Sequence, residues 1–190
     1  MPNEIEIKFQ IENLSALNRV LQQSGFKQIT RSTHETNTLY DLRGQKLRKL
    51  GEMLRLRKYG ETWTLTHKAK GKEGRHKKRV ELETRVDNGE QMDAILRGLG
   101  FEPTFRYEKY RAEWSDGEGH VVLDETPIGN FGEIEGKPRW IDRTARVLGV
   151  GRGNYITQTY ALMFFEWKRR TGSKATEMTF RAIGAKSESV

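Results

Sequence analysis

The stretch Glu4-Ile5-Glu6-Ile7-Lys8-Phe9-Gln10-Ile11 alternates charged or polar residues with apolar ones at period two, the pattern of a strand with one ionic and one apolar face. Successive strand side chains point to opposite faces, so Glu4, Glu6 and Lys8 share one face while Ile5, Ile7 and Phe9 share the other. The same parity recurs down the chain. Arg55 and Arg57 alternate with Leu54 and Leu56, Thr64, Thr66 and Lys68 with Trp63 and Leu65, and Arg79, Glu81 and Glu83 with Val80 and Leu82. Lys109 and Arg111 share a parity, Asp124 adjoins Leu123, and Glu133 and Glu135 flank Ile134. In a single strand such a face is ordinarily the solvated side of an antiparallel sheet. Across all of them, with amphipathic helices at hand to cover the apolar faces, the pattern predicts an α+β fold. It is a closed eight-stranded antiparallel β-barrel, charged inside and packed with helices outside.

The remaining elements follow from local signals. Asn13 caps a helix over Leu14 to Ser24, stopped by Gly25, and a strand is expected from Thr36 to Leu42. A helical turn (44–51) and a strand (53–59) come next. A hairpin pairs Thr62 to Lys70 with His76 to Val86 around Gly71-Lys72-Glu73-Gly74-Arg75. A helix from Gly89 to Leu99 precedes strands at 103–115, 120–126 and 130–136, then a helix from Pro138 or Ile141 to Leu148. Gly149-Val150-Gly151-Arg152-Gly153 follows a helix, not a strand, and therefore reads as a connection and not as a dinucleotide fingerprint. The last helix is expected from Asn154 to about Arg170, its stripe of Tyr160, Phe164 and Trp167 packing on the barrel exterior. Residues 1–170 are thus one domain and 171–190 a weakly ordered basic tail.

Composition narrows the chemistry. With no cysteine among 190 residues, disulfides, thiolate metal sites and cysteine nucleophiles are excluded. No apolar run approaches the ~20 residues of a membrane span, and the N-terminus shows no signal-peptide block, so a soluble cytoplasmic protein is expected. The net charge of +8 favours a polyanionic partner. Half of it comes from the segment after Trp167, where Lys168, Arg169, Arg170, Lys174, Arg181 and Lys186 face only Glu177 and Glu188. Elsewhere acids and bases alternate, a poor match to a nucleic-acid face, so nucleic acid ranks low as a partner. His34, His67, His76 and His120 lack zinc-like spacing.

Same-face carboxylates two residues apart repel unless a cation lies between them. Glu4/Glu6 and Glu133/Glu135 form two such pairs, with Asp124 besides. An all-oxygen carboxylate set suits Mg²⁺ or Mn²⁺. Lys8, Arg55, Arg57, Lys68, Lys109 and Arg111 would face these acids across a common interior, where guanidinium forks bind phosphate oxygens bidentately. Because unpaired buried charges are costly, such an interior makes sense as a wet site for a polyphosphate and its metals.

Glu4-Ile5-Glu6-Ile7-Lys8 resembles the ExExK signature of the CYTH superfamily, the triphosphate tunnel metalloenzymes named for class IV adenylate cyclases and thiamine triphosphatases. Leu54-Arg55-Leu56-Arg57, Trp63-Thr64-Leu65-Thr66-His67-Lys68, Lys109-Tyr110-Arg111, Leu123-Asp124-Glu125-Thr126-Pro127 and Phe131-Gly132-Glu133-Ile134-Glu135-Gly136 are similar to its later motifs, in order. The resemblance spans about residues 1 to 165. It implies a tunnel in which Glu4, Glu6, Glu133 and Glu135 are metal-side residues, assisted by Asp124 and one of Glu81 and Glu83. It implies phosphate binding by Lys8, Arg55, Arg57, Lys68, Lys109 and Arg111, with Glu4, Glu6 and Lys8 the catalytic core.

Two reactions share that apparatus. A hydrolase directs water at the terminal phosphoryl group of inorganic, nucleoside or thiamine triphosphate. A class IV adenylate cyclase directs the ribose 3′-oxygen of ATP at the α-phosphorus and releases pyrophosphate. Here Met1-Pro2-Asn3 precedes Glu4 where bacterial class IV cyclases carry a His-Phe pair, which ranks the metal-dependent triphosphatase first. A third reading is a non-catalytic polyphosphate- or RNA-binding module using the basic tail and the loop Lys72 to Arg79. Subunit pairing as a homodimer is compatible with all three.

Overall fold

The computed structural model describes residues 3–71 and 77–185. Its strands are β1 (Asn3–Ile11), β2 (Lys27–Leu42), β3 (Met53–Tyr59), β4 (Thr62–Lys68), β5 (Lys77–Val86), β6 (Phe101–Ser115), β7 (His120–Thr126) and β8 (Gly129–Glu135). They close into a barrel in the order β1-β5-β4-β3-β2-β6-β7-β8, every pairing antiparallel. The helices are α1 (Leu14–Gln23), α2 (Lys46–Leu50), α3 (Gly89–Gly98), α4 (Pro138–Val147), α5 (Tyr160–Thr171) and α6 (Phe180–Ile183). Among the described residues no helix is long and apolar enough to cross a membrane.

The apolar parity of the strands faces outward and is covered. Ile7, Phe9, Trp114, Val121, Leu123 and Ile134 form one buried cluster with Leu21 of α1 and Trp140, Ile141 and Ala145 of α4. Gly132, paired with Phe9, is required there, since a Cβ would sit 2.2 Å from the Phe9 ring. On the other side Tyr40, Leu56, Leu54, Trp63 and Leu65 pack against Leu96 and Met92 of α3. Trp63 thus lies on the outer face, as its parity requires. Asn13 caps α1 by accepting the Ala16 N–H at 2.9 Å.

Three elements depart from the expectations. First, β2 starts at Lys27, not Thr36. Its early half, Lys27-Gln28-Ile29-Thr30-Arg31-Ser32-Thr33-His34-Glu35, carries little apolar alternation; it becomes strand because the equally long β6 pairs with it, with register shifts at Gln28/Thr30 and Thr30/Thr33. Second, α5 begins at Tyr160, not Asn154. Ile156 instead exchanges backbone hydrogen bonds with Lys8, at 3.0 and 2.7 Å, along the edge of β1 that β5 leaves open. An edge strand needs such partners for its backbone groups.

Third, α5 does not lie on the barrel exterior. Its Tyr160, Met163 and Phe164 pack on Leu39, Phe105, Tyr107 and Phe131. Phe131 shares the parity of Glu133, and Phe105 and Tyr107 that of Lys109, so α5 stoppers one end of the bore. The chain after Arg170, expected to be weakly ordered, continues as a packed segment to Ala185. Met178 is buried and pairs with the free edge of β6 at Tyr107, and the Phe180 N–H donates to the Glu108 carboxylate at 2.6 Å. Lys186 and Glu188 of that tail, and Lys72 to His76 of the hairpin loop, lie outside the described residues.

Candidate active site in the barrel bore

Beyond the α5 stopper the bore is a cavity of about 540 Å³. Glu4 and Glu6 of β1, Glu81 and Glu83 of β5, and Glu133 and Glu135 of β8 line one side of it. Arg55 and Arg57 of β3, with Lys109 and Arg111 of β6, line the opposite side, while Lys8, Lys68 and Arg79 stand among the acids. Strand register brings Glu6 beside Glu135, Lys8 beside Glu133, Glu4 beside Arg79 and Lys68 beside Glu81.

The deepest layer is a buried ion network. Asp124, fully buried, accepts from Lys109 Nζ at 2.9 Å, from Arg111 at 2.7 and 2.6 Å, and from the Tyr160 hydroxyl at 2.6 Å. Arg111 also reaches Glu133 at 2.6 Å, and Lys8 donates to the same carboxylate. The Tyr160 ring lies under both ammonium groups, with Lys8 Nζ at 4.5 Å and Lys109 Nζ at 4.8 Å from its centroid. Burial alone would push Glu133 up, but Lys8, Arg111 and Lys109 together hold its carboxyl well below the ordinary range. Desolvation works against the charge on Arg111 too, and Asp124, Glu133 and Glu35 outweigh it, so the guanidinium stays charged.

Glu35 of β2, 0% exposed, stands between Lys109 at 3.4 Å, Arg111 at 3.8 Å and Arg57 at 3.9 Å. Burial pushes its carboxyl up, and Lys109, Arg111, Arg55 and Arg57 more than reverse that, bringing it to about 2. Nearer the opening, Lys68 bridges Glu4 at 2.6 Å and Glu81 at 2.8 Å, and Arg79 binds Glu4 at 3.0 Å. Against the cost of burial, Lys68 and Arg79 lower Glu4 to about 2. Glu135 behaves oppositely: burial first, then Glu4 and Glu6, push it up to about 7. On the far side Glu83 pairs with Arg57 at 3.2 Å and Arg55 at 3.5 Å.

Every charged residue singled out from the strand alternation lines this cavity except Asp124, which lies behind the lining with its oxygens engaged by Lys109, Arg111 and Tyr160. Of the two β5 glutamates, Glu81 adjoins Glu4 through Lys68, whereas Glu83 belongs to the arginine side. Glu35, Glu113, His120 and Tyr160 complete the site and are absent from the expected set, while Arg79 is expected on the ionic face of its strand but without a role in the site. Glu35 shares its parity with Asn37 and Leu39 but falls one residue before the expected start of its strand. Tyr160 was assigned to outer packing because a helical stripe carries no information about which end of a barrel it meets.

The donor set fits a hard divalent cation. Among the described residues no three carboxylates or imidazoles form a ready-made cage. The crowding that raises Glu135 is nonetheless the repulsion that a cation between Glu4, Glu6 and Glu135 would relieve. Glu35 Oε2, Asn37 Oδ1 and Arg55 Nε are buried without a hydrogen-bond partner among the described residues. Such orphaned polar atoms mark a bore shaped for a polar occupant.

A closed barrel whose bore opposes carboxylates to guanidinium and ammonium groups defines a class of proteins that hold an anion and a hard cation together. The match to the CYTH domain model over residues 2–160 makes the membership specific: the chain belongs to the CYTH family. A protein of Methanocaldococcus jannaschii, provisionally named an adenylate cyclase, is 26% identical over 83% of this chain and 95% of its own length. Among solved structures, a provisionally named adenylate cyclase of Vibrio parahaemolyticus superposes with a TM-score of 0.76 at 20% identity, covering 85% of this chain and 97% of its own. A Hippeastrum protein, provisionally an adenylyl cyclase and described as having a dominant triphosphatase activity, superposes with a TM-score of 0.64 at 19% identity, covering 86% and 95%.

Proposed function

We propose that the chain is a divalent-metal-dependent hydrolase that transfers the terminal phosphoryl group of a triphosphate to water inside the bore. The observation that carries this reading is the cavity itself, a space of about 540 Å³ stoppered by α5, with Arg55, Arg57, Lys109 and Arg111 on one wall and most of the carboxylates, interspersed with Lys8, Lys68 and Arg79, on the other. Lys109, Arg111, Arg55 and Arg57 would bind phosphate oxygens, joined from the opposite wall by Lys8 and Lys68. In the chain alone these cations are paired with carboxylates. Phosphate oxygens would share these cations with their carboxylate partners, and Glu4, Glu6 and Glu135 would hold the metal, so that the added charges of the two ligands offset one another. When bound there, a divalent ion supplies Lewis-acid neutralisation of phosphate charge. Asp124 and Tyr160 act one step back, fixing Lys109, Arg111 and Lys8 so that little reorganisation accompanies reaction.

Hydrolysis needs only this cage and a water molecule, whereas cyclisation also needs a ribose held with its 3′-oxygen in line with the α-phosphorus. Cyclisation stands as a second reading because the M. jannaschii relative carries that name, and the activity described for the Hippeastrum protein weighs toward hydrolysis. Incubation with ATP and with inorganic triphosphate, with Mg²⁺ or Mn²⁺ and then with chelator, separates them by product. Orthophosphate released from both substrates in a chelator-sensitive reaction is expected. Cyclic AMP as the main product from ATP would replace this reading with the cyclase, and turnover untouched by chelation would remove the metal.

A further inference from the structure

The end of the barrel that α5 stoppers carries a surface the bore does not use. Register places α2 at that end: β2 pairs Leu39 with Phe105 in the stopper cluster, then Leu42 with Phe101, and α2 follows. The Arg48 guanidinium carbon of α2 lies 5.8 Å from the centroid of the Phe165 ring of α5, so the two helices meet. Leu162, Phe165 and Arg169 are spaced by three and then four residues and share one face of α5. That face is open to solvent, with Leu162 47% and Phe165 45% exposed, and Leu50, which ends α2, is 59% exposed. Single apolar side chains on a surface are ordinary, but a group of them at one end of a molecule marks an interaction face.

The charge around these side chains is of one sign. Arg43, Lys46, Arg48 and Lys49 lie in α2 and the turn before it, and Lys168, Arg169 and Arg170 in the last turn of α5. Among the described residues none of them makes an ion pair, whereas elsewhere on the surface Arg97 pairs with Asp93 and Arg143 with Glu118. The acids close by are engaged otherwise. Asp41 accepts the Leu47 and Arg48 N–H groups, Glu52 meets His67, and Glu166, the one acid of α5, accepts from the Gln158 amide. Uncompensated cations around exposed apolar side chains complement a plane that is anionic at its surface and apolar just beneath, as a bilayer of anionic phospholipid is. Nucleic acid would match the charge but gives the leucines nothing to enter, and the Phe165 ring is packed against Phe105, Phe164 and Arg48 instead of standing free to stack on a base. A second copy docking by the same face would set cations against cations.

We infer that the end of the barrel formed by α2 and α5 is a docking face for an anionic phospholipid surface. The bore stays open to water in that pose. Phe131 of the stopper pairs with Asp124, and His120, further toward the start of β7, is exposed and lines the cavity. The test is co-sedimentation of the full chain with vesicles of phosphatidylcholine alone and of phosphatidylcholine with phosphatidylserine at about three to one, in about 0.15 M salt. It compares the wild type with Lys46→Glu/Lys49→Glu, Leu162→Ser and Phe165→Ser, thermal unfolding serving as the check on each fold. The wild type should sediment with the mixed vesicles and not with the neutral ones. The paired charge reversals should weaken binding at least tenfold, and each apolar variant about threefold to fivefold. Leu162 is exposed, so its variant tests the apolar part even if Phe165→Ser fails to fold. No binding to the mixed vesicles overturns the inference, as does binding that the charge reversals leave intact. Binding lost with the charges but equal to wild type in Leu162→Ser and Phe165→Ser would reduce it to the general attraction of a basic protein and overturn the face. A single-stranded RNA oligomer that displaces the chain from the mixed vesicles at equal phosphate concentration would assign the face to nucleic acid instead.

Discussion

The two ends of one bore are built from the same strands and the same parity, yet one is dry and the other ionic. Toward α5, bore-facing positions are Leu39, Phe105 and Phe131; a few residues along the same strands they become Glu35, Lys109 and Glu133. The dry end is closed by apolar contact, which stabilises without direction. The ionic middle is held by a network in which Asp124, Glu35 and Glu133 each serve more than one cation. The contrast teaches that the stopper and the cage depend on each other. Tyr160 belongs to both, packing with Phe131 on one side and holding Asp124 on the other.

The largest expected effect breaks the cage. Arg111→Ala leaves Asp124, Glu133 and Glu35 short of their shared cation, and removing one partner of a buried pair costs about 3–5 kcal/mol. Urea unfolding should show that loss together with the disappearance of triphosphate turnover, and a loss of stability below about 1 kcal/mol would show that the middle is wetter than its geometry. Next comes the stopper. Phe164, fully buried in α5, should cost about 3 kcal/mol as alanine, with the cation cage loosened and triphosphate affinity reduced as a consequence. Unchanged affinity in a folded Phe164→Ala protein would separate the two ends.

A pH experiment addresses the cage alone. The Glu35 carboxyl sits at about 2 in the fold against an ordinary 4.5, so its ionised form stabilises the fold. That contribution is fully present above about 4.5 and is lost as pH falls toward 2. Its size is on the order of 3 kcal/mol. Glu35→Gln should therefore be less stable at neutral pH and show a shallower loss between pH 4.5 and 2 than the wild type; parallel curves would mean that Glu35 does not titrate with folding. The smallest effect is at the joint between the ends. Tyr160→Phe keeps the ring under Lys8 and Lys109 but drops the hydroxyl bond to Asp124, for about 1 kcal/mol of stability. It should lower kcat more than it raises KM, because it disturbs positioning and not contact. A pure KM effect would assign Tyr160 to substrate binding instead.

Much of this was legible in the residues. The alternation at Glu4–Lys8, Leu54–Arg57, Trp63–Lys68 and Glu133–Glu135 carried both the barrel and its charged lining, since parity is a local property of extended backbone. Glu35 was hidden because the first half of β2 is polar on both faces, and only its pairing with β6 makes it a strand. Tyr160 was hidden for a related reason: an aromatic on a helix reads as core, and nothing nearby in sequence says that this core closes a tunnel. Asp124 was found, but as one carboxylate among several; its four donors arrive from β6 and α5, far away along the chain.

The sequence by itself determined which side chains share a face, and so which charges line a common interior, because a strand alternates whatever it is paired with. Only the tertiary structure decided where that interior ends, which carboxylates are committed to neighbouring cations and which crowd one another. Those outcomes depend on distances set by barrel closure and by where α5 docks, and Coulomb interactions in a desolvated bore depend steeply on both.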